Sequence, residues 1–275
     1  MSQALSSTAF QTYATLLKTR SGLVIGSDKL YLLETRLASI LKREKLRDLA
    51  ALADRLRAPN AEPLIRQVVE AMTTNESFFF RDDKPFQHFR AQALPRMLAS
   101  RSAGTPLRVW SAASSSGQEA YSIAMIISEC RASIGDRRIE IIGTDLARDQ
   151  VQRARDGVYT QFEVQRGLPV QMLMRHFRKE ENGWRISEAI RGMVQYREWN
   201  LLGDLRPLGQ FDVVFCRNVL IYFSARARQL AQKRLRGAVR AGGYLLLGPT
   251  DTLIANEGFD TLWASDAVIY RRRIE

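Results

Sequence analysis

Residues Phe211 to Phe223 read FDVVFCRNVLIYF, and the rest of the chain is understood from them. Phe211 to Cys216 is a short apolar run rich in β-branched and aromatic residues, the pattern of a strand buried on both faces. It stops abruptly at the polar pair Arg217-Asn218, and apolar sequence resumes from Val219 through Tyr222 to Phe223. Open α/β sheets bind ligands in the crevice at the carboxyl ends of their strands. A strand that ends in Arg-Asn, with a tyrosine shortly beyond, therefore points polar groups to where a ligand would lie. The plainer alternative is a buried strand followed by an ordinary turn.

The sequence around this stretch favours an open sheet. From Pro106 strands and helices alternate: a strand over Leu107 to Ala112, a small-residue turn over Ser114 to Gly117, and a helix over Gln118 to Cys130. A second strand covers Ile139 to Thr144 and ends at Asp145, and a helix follows over Ala147 to Arg155. Further strands are expected near 193–199, 211–216 and 243–248, with a basic helix from Ser224 to Arg240 closed by Gly242-Gly243 as a C-cap. Such alternation predicts a mostly parallel sheet covered by helices on both faces. The segment FDTLWASDAVIYRRR reads as a turn and an edge strand. Over about 162–198 the alternation breaks into a short helix and an Asn-Gly hairpin, read as a small inserted β-subdomain.

Residues 1–72 read as an all-α domain and 73–275 as the α/β domain. Leu30, Leu33, Leu37, Ile40 and Leu41 keep helical spacing, with Ser27 or Asp28 as N-cap, and Lys29, Arg36, Lys42 and Arg43 fall on the other face. Helices marked by Leu46, Leu49, Leu52 and Leu56, and then by Asn60 to Met72 with Pro63 in the first turn, follow. The run TTNESFFFRDD, 73–83, suggests phenylalanines wedged between two packed bodies, or else an apolar linker. A helix from Pro85 is expected to kink or break at Pro95.

Composition bounds the function. The chain has 275 residues, 45% hydrophobic, enough for a sizeable core and too little for a membrane protein. No apolar run reaches the roughly 20 residues of a spanning helix, and the first residues lack a secretory pattern, so a cytoplasmic location is expected. Cys130 and Cys216 lie in apolar segments without metal-site spacing and read as reduced buried thiols. His88 and His176 sit beside apolar residues and read as structural. A net charge of +12, from 41 Lys and Arg against 29 Asp and Glu, favours an acidic partner without choosing among nucleic acid, membrane surface and protein.

The turn after the first strand carries only Gly117, so neither a GxGxxG fingerprint nor a GxxxxGK[ST] phosphate loop is present. A nucleoside without phosphates needs less of either. An acidic residue ending the second strand is the usual partner of ribose hydroxyls, and Asp145 has that place; its other reading is a helix N-cap.

The segments MTTNESFFFRD, RVWSAASSSGQEAYSIAM, GTDLARDQVQRARDGVY and FDVVFCRNVLIYF, in this order, resemble the CheR family, S-adenosylmethionine-dependent methyltransferases of bacterial chemotaxis. The resemblance extends over nearly the whole chain. It implies a Rossmann-like methyltransferase sheet with an inserted β-subdomain, an all-α N-terminal domain that docks to the receptor, and methylation of chemoreceptor glutamates for sensory adaptation. By position it implies cofactor contacts at Asn75, Ser77, Arg81, Glu119, Asp145, Asn200, Leu201, Asn218 and Val219, with Asp145 on the ribose and Asn200-Leu201 at the adenine. Arg81 and Tyr222 are the implied orienting groups for the acceptor; otherwise Arg81 would pair with Asp82 or Asp83 and Tyr222 would be a half-buried aromatic. Position 77 is Ser where Thr is common in the family, and GPTDTL departs from its GHSEN-like stretch.

Two other readings are weighed. A nucleic-acid methyltransferase would suit the charge, but amino-directed DNA enzymes carry an Asn- or Asp-Pro-Pro-aromatic stretch where this chain has Arg217-Asn218-Val219-Leu220. An idle receptor-binding module would not need Arg81, Asp145, Asn218 and Tyr222 together. The expected partners are cytoplasmic methylation helices of chemoreceptors, met through Lys29, Arg36, Lys42 and Arg43, with no nucleic acid, no metal, and membrane only through the receptor. A monomer is expected. The hairpin region is short for the family members that tether to a receptor peptide, so no tether is expected.

Overall fold

The structure is a computed structural model that describes residues 6–102, 104–254, 258–264 and 267–274. The chain divides into two compact units, Met1–Thr74 with Tyr222–Leu230, and Asn75–Ile221 with Ala231–Glu275.

The first unit is helical: α1 (Ser7–Ser21), α2 (Leu30–Arg43), α3 (Leu49–Leu56) and α4 (Glu62–Met72). Ser6 caps α1 by accepting from the Ala9 amide at 3.2 Å, and Gly22 ends it at φ 76°, a left-handed cap that only glycine adopts without strain. Asp48 caps α3 through the Ala51 amide at 2.8 Å. Leu33, Leu37 and Ile40 bury one stripe of α2. Neither Ser27 nor Asp28 caps that helix. Ser27–Lys29 forms a 3₁₀ turn, and Asp28 folds its carboxylate back over Gly26 instead.

The second unit opens with α5 (Lys84–His88), a π-turn over Phe89–Ala93 and α6 (Leu94–Ser100). Pro95 thus deforms the helix without ending it, because the proline has no N–H to give the ladder. There follow β1 (Leu107–Ala112), α7 (Gln118–Glu129), α8 (Arg131–Ile134), β2 (Ile139–Asp145) and α9 (Arg148–Asp156). Next come β3 (Val158–Tyr159), α10 (Gln161–Gln165), α11 (Val170–His176), β4 (Phe177–Glu180), β5 (Gly183–Ile186), α12 (Glu188–Arg191) and β6 (Val194–Glu198). The chain continues with β7 (Phe211–Cys216), α13 (Ala225–Ala238), β8 (Val239–Leu247), β9 (Phe259–Ala264) and β10 (Ala267–Arg272).

The main sheet has the order β6-β2-β1-β7-β8-β10-β9. It is parallel from β6 to β8, and β10 and β9 are antiparallel additions. Every residue of β7 is buried, its apolar residues as their run requires and Asp212 because Arg101, Arg240 and the Arg108 amide engage its carboxylate. A second sheet, β3-β5-β4, is antiparallel and forms the inserted subdomain, with its hairpin at Asn182-Gly183. It begins at Val158, ahead of the 162 read from sequence, and 194–198 joins the main sheet as β6.

Three other differences have local causes. Gly242-Gly243 lie inside β8 rather than capping α13. A Cβ on Gly243 would stand 2.8 Å from the Asp212 carbonyl, so the glycine permits close approach to β7 beside a register shift. The FDTLWASDAVIYRRR segment makes two strands, not one, with Ser265 and Asp266 outside the described residues. Phe79 and Phe80, read from sequence as wedged or as a linker, belong to this unit's own core, with Phe86, Tyr159 and Phe177.

Candidate functional site

The carboxyl ends of four parallel strands align. Ala112 of β1 is in register with Thr144 of β2 and Cys216 of β7, and Asp145 with Glu198 of β6. β1 stands between β2 and β7, so the strand order reverses there, the place where open sheets bind ligands.

Above β1 the turn Ala113–Gly117 takes positive φ at Ala113 (57°), Ser115 (50°) and Gly117 (97°). Alternation of this kind gathers backbone N–H groups on one side. The Ser115 amide donates to Asp145 Oδ2 at 2.8 Å, and the Ala147 amide to Oδ1 at 2.9 Å. Asp145 is buried, and desolvation pushes its carboxyl above the usual range, while the amides of Ala147, Ser115 and Leu146 pull the other way. The Trp199 amide donates to the Asp145 carbonyl at 2.8 Å, and Asn200 Oδ1 accepts from the Leu202 amide at 2.9 Å. Those bonds bring Asn200 and the buried Leu201 to the end of β2 beside Asp145.

A second cluster gathers on Arg217. Its Nη1 donates to Glu119 Oε2 at 3.1 Å, and its Nη2 to the Arg81 carbonyl at 2.6 Å and to Asp82 Oδ2 at 2.7 Å. The guanidinium is 1% exposed and lies over the Phe86 ring at 5.4 Å. Glu119 Oε1 accepts from the Ser111 hydroxyl at 2.8 Å. Burial raises the Glu119 carboxyl above its ordinary value, against the pull of Arg217 and Ser111.

The 75–83 segment is drawn over the β1 turn. The Asn75 carbonyl accepts from the Ser115 hydroxyl at 2.8 Å, and Ser122 Oγ accepts from the Phe80 amide at 3.0 Å. Ser77 is half-buried beside them in the chain. Arg81 donates to the Glu76 carbonyl at 3.1 Å and lies 5.2 Å from the Phe78 ring centre, while Asp82 pairs with Arg217. Asn218 sits at φ 57°, a conformation asparagine tolerates, and its amide donates to Asp251 Oδ2 at 3.1 Å. Gly248 makes room, since a Cβ there would stand 2.8 Å from the Asn218 nitrogen. Val219 is half-buried.

The domains now decide the family. Residues 75–268 match the CheR methyltransferase, SAM binding domain, and residues 8–73 the CheR methyltransferase, all-alpha domain. The chain belongs to the CheR methyltransferases. It is 36% identical to a chemotaxis protein methyltransferase of Pseudomonas putida over 96% of this chain and 98% of that one. It is 37% identical to chemotaxis protein methyltransferase 1 of Pseudomonas aeruginosa over 96% and 97%, and 33% identical to a Vibrio parahaemolyticus chemotaxis protein methyltransferase over 97% and 98%. This CheR methyltransferase is accordingly an S-adenosylmethionine-dependent enzyme of chemotaxis.

The residues present fit that cofactor. Ser114 Oγ, in the β1 turn, is buried and has no hydrogen-bond partner among the described residues. A carboxylate offers about four acceptor sites, so the three amides on Asp145 leave it able to take a further donor. Among the described residues no group of His, Cys, Asp and Glu could hold a metal ion, and no helix is long and apolar enough to cross a membrane.

The sequence reading missed two members of the site region. The sequence presents Arg217 only as a polar group facing the ligand, yet it is a buried tie between β7, α7 and the 75–83 segment. Asp251 lies in the off-pattern GPTDTL, which still carries a carboxylate and places it on the Asn218 amide.

In the helical unit, Tyr222 is 36% exposed and its carbonyl accepts from the Val24 amide at 3.1 Å. The four basic residues of α2 and its approach differ. Arg36 donates to the carbonyls of Met72 at 2.7 Å and Thr73 at 3.0 Å and to Thr74 Oγ1 at 3.2 Å, so it closes the C-terminus of α4. Arg43 hydrogen-bonds Gln67 and lies 3.7 Å from Glu44. Lys29 and Lys42 are exposed and in no ion pair among the described residues.

Proposed function

We propose that this CheR methyltransferase converts chemoreceptor glutamates to methyl esters, with Asp145 as the cofactor anchor. The observation that carries the reading is the buried Asp145 carboxylate, aligned by backbone amides at the strand-order reversal and free to accept one donor more. S-adenosylmethionine supplies an electrophilic methyl group on a sulfonium centre. Asp145 accepts from the ribose, and the Asn200-Leu201 turn meets the adenine. Asn75, Glu119 and Asn218 serve the methionine end or line its pocket, and Ser77, Arg81 and Val219 are further cofactor contacts.

The acceptor needs no general base. A free glutamate has a pKa of about 4.3 and is ionised at neutral pH. What the protein supplies is alignment of carboxylate and methyl carbon, with water excluded. Arg81 and Tyr222 orient the acceptor, one by a guanidinium N–H and the other by its hydroxyl. Arg81 already donates to the Glu76 carbonyl and lies by the Phe78 ring, contacts that fix its guanidinium for positioning the carboxylate. Receptor helices dock through exposed cations, Lys29 and Lys42 before Arg36 and Arg43, whose guanidinium groups are engaged. The enzyme acts as a cytoplasmic monomer, without a receptor-peptide tether.

The test is transfer of labelled methyl from S-adenosylmethionine to receptor-rich membranes and, in parallel, to nucleic acid. Base-labile label on the receptor is expected. Label on nucleic acid, or base-stable label on protein, would overturn the reading.

A further inference from the structure

Two buried tyrosines brace the turn above β1 from behind. The Tyr159 hydroxyl donates to the Ser116 carbonyl at 2.7 Å, and the Tyr196 hydroxyl to the Gly117 carbonyl at 3.2 Å. Tyr159 is 1% exposed and Tyr196 5%. Space for Tyr196 is cleared by two glycines. A Cβ on Gly117 would stand 2.7 Å from its hydroxyl oxygen, and a Cβ on Gly143 2.5 Å from its ring. Tyr121 locks the pair, with its ring 6.4 Å from Tyr159 and 5.4 Å from Tyr196, and its own hydroxyl on the Ala154 carbonyl at 2.6 Å. Burial keeps both phenols protonated, and hence donors, far above neutral pH.

The turn needs such bracing. Ala113 and Ser115 carry side chains at left-handed φ, a conformation that persists only when the surroundings impose it. Asp145 holds the turn in front, through the Ser115 amide. The tyrosines hold it behind through two carbonyls, of which that of Gly117 also accepts from the Tyr121 amide of α7 at 3.0 Å. Tyr159 also belongs to β3 of the small sheet and meets Phe79 edge-on at 5.0 Å, in the segment that carries Asn75, Ser77 and Arg81.

We propose that Tyr159 and Tyr196 are positioning residues for cofactor binding: their hydroxyls fix the Ser116 and Gly117 carbonyls, and through Tyr159 of β3 the small sheet is a structural part of the cofactor site rather than an appendage. This rests on the reading of Ala113–Gly117 as the cofactor turn.

The experiment is calorimetric titration of S-adenosylhomocysteine into the full chain and into Tyr159→Phe and Tyr196→Phe, with thermal melting of each and KM and kcat for S-adenosylmethionine. Each variant loses a hydroxyl and little shape. Tyr159→Phe is expected to weaken S-adenosylhomocysteine about fivefold, the loss of one net hydrogen bond, and Tyr196→Phe less, since its bond is longer. KM should rise while kcat at saturation stays near wild type. A lower melting temperature with affinity within twofold of wild type in both variants would reduce the tyrosines to fold stabilisers and overturn the proposal. Should Tyr159→Phe not fold, Tyr196→Phe decides by the same criterion. If the wild-type chain itself fails to bind S-adenosylhomocysteine, the cofactor reading falls first.

Discussion

Asp145 and Glu119 are both buried carboxylates of the α/β unit, and burial raises the pKa of each, yet they are held in different ways. Glu119 leans on a guanidinium, Arg217, and on the Ser111 hydroxyl. Asp145 leans on backbone amides, its oxygens accepting from Ser115 and Ala147. Amides stabilise a negative charge without cancelling it, whereas a buried cation makes the carboxylate one member of a pair. A residue of the first kind keeps its charge for a ligand; one of the second kind is tied to its partner's fate.

The largest expected effect comes from breaking the pair. Arg217→Ala leaves Glu119 buried without its cation and should cost about 3–5 kcal/mol of stability, read by denaturant unfolding. Arg217→Met combined with Glu119→Gln should recover most of that loss, because no charge is then stranded. A single-mutant loss no greater than that of an ordinary surface substitution would mean the cluster is solvated after all.

Asp145 comes next. On sequence grounds Asp145→Ala weakens the cofactor and spares the fold. The structure changes that expectation, since removal of the carboxylate strands amides it now satisfies, for about 1–3 kcal/mol of stability. Asp145→Asn keeps the shape and should separate the two effects. Its melting temperature should stay closer to wild type than that of Asp145→Ala, while affinity for S-adenosylhomocysteine drops about tenfold, as for a lost charge-assisted bond. Wild-type affinity in Asp145→Asn would remove the charge from the argument.

The pH dependence of stability sharpens the same contrast. A carboxyl whose folded pKa is raised favours folding most when protonated. Its contribution is complete below the unfolded value of about 3.9 for an aspartate and is lost as pH rises through the higher folded value. Wild type should therefore lose stability relative to Asp145→Asn as pH increases from about 4 towards neutrality. A gap that stays constant over that range would show that Asp145 is not desolvated as its burial implies.

The smallest effect lies in the helical unit, where the same division between engaged and available charge recurs. Arg36→Ala should cost about 1 kcal/mol by uncapping α4. Lys29→Glu with Lys42→Glu should leave melting unchanged and raise the KM for receptor at low salt. That difference should shrink as salt rises, since exposed charges are screened over about 8 Å at physiological ionic strength. Equal receptor methylation at low salt would return those lysines to solvated surface.

Much of this was written in local sequence. FDVVFC is apolar but for Asp212, so its burial on both faces, and with it a parallel sheet, could be read directly. Asp145 could be placed at a strand end because the strand before it is legible, and the family motifs are themselves contiguous. The roles of Arg36, Arg217, Gly243 and Tyr159 could not be read in that way. Each is settled by a backbone group or side chain 31 or more positions away: Met72 for Arg36, Glu119 for Arg217, the Asp212 carbonyl for Gly243, and the Ser116 carbonyl for Tyr159. Periodicity reports which face of an element is apolar, because that depends on a residue and its near neighbours. Whether a polar side chain is free or engaged depends on which distant segment folding brings within hydrogen-bond reach, and only the tertiary structure decides that.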